Sequence, residues 1–286
     1  MKCDSRRVGA SVSLTGALAI LLVANSPLMV IASLGSKRPS PEGTQAQARQ
    51  LWEQTIAAKG GRERLSSVTG MYMAVDQGQG DRAWNFFLFP DRYFHYSYGA
   101  KREDTVIKIF NGKLNLVWWQ PNTSPAQLRH LKAGDEDDSL IREAQFVLLL
   151  ETKWLKPTPL RVRNDWLGLK RVNVIETDTA GWRVDYFLDP KTHLPVRITY
   201  GYSLTERARG EMNHEVGLED YVEIDGVMMP HRLTQSLTFN GAKRGWQEQA
   251  TYELNPDYDE QIFEKAPTPK MVPQAWRPKK IGMICR

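Results

Sequence analysis

The residues best placed to do chemistry lie in "YFLDPKTHLPVRITY", positions 186–200. Asp189, Lys191, Thr192, His193 and Arg197 fall within nine positions there. These are the types that serve as general acid, general base or charge stabiliser when a fold converges them. A second stretch, "YVEIDGVMMPHRLTQ" (221–235), has the same grammar: a hydrophobic run, an Asp, a break, then apolar–Pro–x–Arg–apolar–Thr. Turn chemistry accounts for both. In Asp-Pro the Asp carboxylate bonds its own downstream backbone and the Pro fixes φ. Asp-Gly is a tight hairpin signal. Pro195 and Pro230 open the returning strands, where a missing N–H is tolerated. The stretches read as two strand–turn–strand units, with His193 in a turn.

Other candidate groups are no more convergent. His95, His130, His193, His214 and His231 are scattered without metal-ligand spacing. "DEDD" (135–138) lacks the Gly and terminal Glu that a calcium loop needs at fixed offsets, and its acids suit the start of a helix. There is no Gly-x-Ser-x-Gly elbow and no phosphate-binding Gly loop. "NTS" (122–124) is a glycosylation sequon only in a eukaryotic host. The sequence therefore predicts no catalytic residue, no metal and no cofactor. A hydrolase whose groups converge from distant positions stays open as an alternative.

The elements that would position any site change period along the chain. Thr44 and Gln47 form a capping box, and Ala48, Leu51, Trp52, Thr55 and Ile56 share one helical face. Gly60-Gly61 ends that helix, and "RERLSSV" adds a turn or two. From residue 70 short alternating runs follow: "GMYMAVD", "AWNFFLF", "YFHYSY", "TVIKIF" and "LNLVWW". "GDEDDSLIREAQFVLLLETKWL" predicts a second helix, capped at Asp138 or Ser139, whose latter half is apolar nearly all round and hence buried. Strands return after Pro157 and Pro159. The expected fold is α+β, mainly β: a strongly curved antiparallel sheet of about ten or eleven strands, an incomplete barrel with two helices on its concave side. Such a sheet encloses more space than two helices fill, which suits a hydrophobic ligand. The residues expected to line an apolar cavity beneath the second helix are Phe86, Leu88, Leu114, Leu116, Trp118, Leu148, Tyr186 and Ile198.

The ends of the chain differ from its body. A basic start, "MKCDSRR", precedes 26 uncharged residues with an apolar core at 17–24. Residues 1–33 thus read as a secretory signal cleaved after Ala24 or Ala32, or as an uncleaved anchor in the inner membrane. Either reading exports the protein to the periplasm or cell envelope. Residues 34–43 are a Pro/Gly/Ser linker and 44–268 the folded domain. Residues 269–286 form a tail with five basic residues and no acid. Lys270, Trp276, Arg277, Lys279 and Lys280 of that tail are candidates to dock on an anionic membrane or a partner. The leader and tail account for the net charge of +5, because the residues between them carry 30 basic and 32 acidic groups. The basic balance is therefore no sign of nucleic-acid binding. With the leader removed, Cys285 is the one cysteine left, so no disulfide closes within the chain; pairing between chains stays open.

Several of these stretches together resemble the bacterial lipoprotein-carrier superfamily, LolA and LolB, with the outer-membrane lipoprotein-sorting and RseB-type proteins. They are the leader, "ARQLWEQTIAAKGG", "IREAQFVLLL", "YFLDPKTHLPVRI", "DYVEIDGVMMPHRL" and "YELNPDYDEQIFEKAP". The resemblance spans nearly all of 44–268. It implies an incomplete barrel with a helical lid over an apolar cavity, which binds a lipid or the acyl chains of a lipoprotein for transport or sorting. The tail and the length of the leader depart from the pattern, and no single ligand-binding residue of the family aligns here. An envelope sensor or assembly factor that binds a protein partner through the same sheet is the alternative.

Overall fold

The computed structural model describes residues 43–99, 104–112, 115–121, 125–130, 138–203 and 211–264, all within one compact unit, Pro39–Arg286. Helix α1 (Gln45–Lys59) begins at the predicted capping box: Thr44 Oγ1 accepts from the Gln47 N–H at 3.3 Å, and Gln47 Oε1 accepts from the Thr44 N–H at 2.7 Å. It ends at Gly60, φ 128°, where a Cβ would come within 2.2 Å of the Gly226 carbonyl. The helix terminus and the 225–226 turn touch backbone to backbone there, which only Gly permits. Helix α2 (Arg62–Ser67) is the extra turn expected from "RERLSSV".

Among the described residues thirteen strands follow, more than the ten or eleven expected. They are β1 (Gly70–Gly78), β2 (Asp81–Leu88), β3 (Arg92–Gly99), β4 (Asp104–Phe110), β5 (Asn115–Gln120) and β6 (Gln127–His130), then β7 (Thr158–Leu167), β8 (Lys170–Thr179), β9 (Trp182–Leu188), β10 (Pro195–Ser203), β11 (Glu211–Ile224), β12 (Val227–Phe239) and β13 (Ala242–Leu254). The strand least visible in the sequence is β6, four residues with only one apolar side chain. All pairings are antiparallel, in the order β6-β5-β4-β3-β2-β1-β13-β12-β11-β10-β9-β8-β7. Consecutive strands are neighbours except β6 and β7, which lie at opposite edges, and β13 joins β1 at the centre. The sheet is curved and stays open, with β6 and β7 at its edges.

Both stretches that opened the sequence reading are turns. Asp189 Oδ1 accepts from the backbone N–H groups of Lys191 (2.8 Å) and Thr192 (3.0 Å), and these bonds hold its carboxyl below the usual range. His193 sits at φ 59° with its N–H bonded to the Asp189 carbonyl. Asp225 and Gly226, both at positive φ, turn β11 into β12.

The sheet buries both faces. The inner face carries α1 and the middle helix, and its core includes Trp52, Ile56, Met71, Phe87, Tyr93, Tyr186, Ile198, Val216 and Leu233. The outer face of β1–β5 carries Tyr72, Phe86, Phe94, Ile107, Ile109, Leu116 and Trp118, closed by Phe263 of the 3₁₀ turn Glu260–Phe263. The middle helix is one α-turn, α3 (Asp138–Arg142), followed by seven residues of π-helix, Glu143–Leu149. The sequence predicted a continuous α-helix. Widening to π turns every residue from Ala144 to Leu149 inward, and partners on the sheet hold the widened turns. Tyr186 Oη donates to the Phe146 carbonyl at 2.9 Å, and Gln145 Nε2 donates to the Pro90 carbonyl at 3.1 Å.

Candidate ligand pocket beneath the helix

Antiparallel register sets which side chains meet under the helix. Met73 is paired with Asn85, and Asn85 with His95; Val75 is paired with Ala83. Directly paired residues point to one face, so Met73, Val75, Ala83, Asn85, Phe87 and His95 face inward together. On the other side of β1, Leu233 pairs with Glu248 and Gln235 with Trp246, which aims Gln235 and Glu248 the same way. Leu140, Glu143, Ala144 and Leu148 of the helix cover these strands. Together they line a part-open pocket of about 210 Å³ whose floor crosses six neighbouring strands, from β3 to β11.

Its lining is mixed. Val75, Ala83, Phe87 and Leu148 supply apolar surface, while two carboxyl groups enter from opposite sides. Glu143, from the roof, accepts a hydrogen bond from Tyr200 Oη at 2.6 Å and one from Gln235 Nε2 at 2.9 Å. Glu248, from the floor, accepts from Trp246 Nε1 at 2.6 Å and Gln77 Nε2 at 2.8 Å. Burial raises the pKa of both carboxyl groups, and the hydrogen bonds only partly oppose it. His95 Nδ1 lies 2.7 Å from Asn85 Oδ1. Burial, with the Lys108 charge adding to it, lowers the imidazole to about 3, and burial lowers His214 to about 4. Both rings are therefore neutral near pH 7. Among the described residues, no group of three or more His, Cys, Asp or Glu side chains is arranged to hold a metal.

Of the eight residues expected to line a cavity, Leu148 lies on this pocket. Tyr186 and Ile198 are fully buried in the inner core beside it. Phe86, Leu116 and Trp118 point to the outer face, with Leu88 packed against them, so the expectation that they lie beneath the helix is corrected. The reason is parity. Phe86 is adjacent to Phe87 in β2, and with both faces of that strand apolar, hydrophobicity alone does not say which set faces in. Leu114 lies outside the described residues, as do Lys270, Trp276, Arg277, Lys279 and Lys280. The pocket's polar residues were not among the expected set. Their signal was a polar residue interrupting an aromatic run: Asn85 in "AWNFFLF" and His95 in "YFHYSY".

No family model matches the sequence, and a search of curated proteins returns no match. Solved structures are similar in fold. A LolA superfamily protein, NE2245 from Nitrosomonas europaea, shares 14% identity over 76% of this chain and 97% of its own, with a TM-score of 0.44. A DUF1329 family protein from Desulfovibrio piger shares 8% identity over 76% of this chain and 96% of its own, with a TM-score of 0.42. These likenesses concern the fold alone, and what the pocket does is read from its own residues.

Proposed function

We propose that this is a non-catalytic, exported protein of the cell envelope that takes up a lipid or the acyl chain of a lipoprotein beneath the helix 138–149, for transport or sorting. The observation that carries the reading is the pocket itself, a part-open, part-apolar space on the inner face under a helix held by side-chain bonds. At about 210 Å³ it is smaller than the ~300–1,000 Å³ of most ligand sites. An acyl chain enters only as the roof lifts, as lids do. A π-helical roof suits that role, because π turns pack less favourably than α turns and recur at functional sites. Each methylene buried contributes about 0.8 kcal/mol. Export rests on residues 1–33, and docking at an anionic membrane on the basic tail; both lie outside the described residues. Among the described residues no helix is long and apolar enough to cross a membrane.

The test is lipid extraction of the protein purified without detergent, followed by mass spectrometry and titration with a fluorescent fatty-acyl probe. The reading expects bound lipid or saturable probe binding near one per chain. Protein that extracts clean and binds no probe contradicts it, and a co-purifying protein held by the sheet would then take precedence.

A further inference from the structure

We propose that the ligand's head is a protonated amine held between Glu143 and Glu248, an inference that rests on the binding reading above. The two carboxyl groups approach one cavity from roof and floor, and the Gln235 amide reaches both. Every hydrogen bond they accept comes from a neutral donor: a phenol, an indole and two amides. Among the described residues neither has an ion-pair partner, although exposed carboxylates elsewhere on the chain do, as Glu219 does with Arg232. Buried carboxylates without a countercharge are costly to ionise, and two of them on one cavity oppose each other. A cation between them removes both penalties at once.

The chemistry of that cation follows from the rest of the lining. Among the described residues the side chains do not assemble the three or more ligands that a metal ion would need. An ammonium group carries three N–H donors and no acceptor, the complement of acceptor-only carboxylates. One more buried polar group lies on this face, outside the pocket's lining. The Tyr252 hydroxyl is buried on the same face, since Tyr252 pairs with Met73, and it has no hydrogen-bond partner among the described residues. Both carboxylates are near enough to act on it. Beyond the carboxyl groups, Val75, Ala83 and Leu148 offer the apolar surface that an alkyl chain needs. The class of ligand is an amphiphile with a primary amine at its head.

Calorimetric titration of the full chain with dodecylamine, dodecanol and dodecanoate, each below its micelle concentration at pH 7.5, separates the possibilities. The amine is expected to bind at least tenfold more tightly than the alcohol, with the carboxylate weakest. Glu248→Gln should weaken the amine at least fivefold more than the alcohol, and lowering the pH to 5 should do the same. Alcohol or carboxylate binding as tight as the amine overturns the amine head while leaving the binding reading standing. Binding of none of the three removes both. Amine binding that survives filling the pocket by Ala83→Leu is surface adsorption and also overturns the proposal. If Glu248→Gln does not fold, the ranking of the three amphiphiles on the unaltered protein decides alone.

Discussion

The two faces of strands β1–β5 are built from the same aromatic-rich runs, yet they end differently. The outer face receives only apolar side chains at its centre, and Phe263 closes it at zero exposure. The inner face alternates apolar residues with Asn85 and His95, with Glu248 of β13 beside them, and a pocket remains there under the helix. Apolar side chains interdigitate to crystal-like density and leave no space. Amides, imidazoles and carboxyls must first meet hydrogen-bond geometry, so they pack less freely. On this sheet, polarity on one face keeps a site open that hydrophobicity on the other has sealed.

The largest effect that would sharpen this contrast is on the sealed face. Phe263→Ala should cost about 3–5 kcal/mol, as for a fully buried aromatic ring. In denaturant titrations it should lower the midpoint strongly. Acyl-probe affinity should stay as in the parent wherever the variant remains folded. A loss below 1 kcal/mol would mean that the outer cluster is not a packed core.

Next is the charge buried with the inner-face helices. Lys59 is fully buried at the end of α1, bonded to the Met228 carbonyl and lying 5.1 Å from the centre of the Tyr221 ring. Burial lowers its pKa to about 7. The unfolded chain holds this proton up to about pH 10.4, so between 7 and 10.4 it binds more protons than the folded chain. Stability contributed here therefore rises with pH across that window and is lost as pH falls toward 7. Lys59→Met should stabilise the fold by a few kcal/mol at pH 6.5, and the gain should shrink steadily toward pH 10. A gain that does not vary with pH would show that Lys59 is already solvated.

Smaller effects belong to the turns, which join strands and line neither face. Gly226→Val should cost roughly 1–2 kcal/mol, because φ is 78° there. His193→Ala should fall within about 0.5 kcal/mol and leave probe binding unchanged. His193 is half-buried at positive φ and not the freely exposed residue its turn suggested. A loss of probe binding in folded His193→Ala would move the site away from the helix.

Much of the architecture could be read from residue order. The Thr44–Gln47 box, the Gly60-Gly61 stop, both hairpin turns and the buried second half of "LIREAQFVLLL" are local signals written in a few residues each. The face on which Phe86 or Phe87 lies is not local. It depends on β13 joining β1, which connects residues about 180 positions apart. The same closure brings Glu248 over to Asn85 and His95, so the polar half of the pocket has no signature within any one segment. The π-helix was hidden for a similar reason: Tyr186 on β9 and Pro90 in the β2–β3 turn, which help hold it, are distant in sequence.

The measurement that tests the account most directly compares one pocket-filling change on each face. Ala83 lines the pocket and Ala74, one residue from its partner Val75, packs against the outer cluster. Both are replaced by Leu, the fold is checked by thermal unfolding, and binding of a fluorescent acyl probe is titrated. Ala83→Leu is expected to weaken the probe at least tenfold, while Ala74→Leu leaves it unchanged. Undiminished binding to Ala83→Leu, with loss in Ala74→Leu, would place the ligand on the outer face and contradict this expectation.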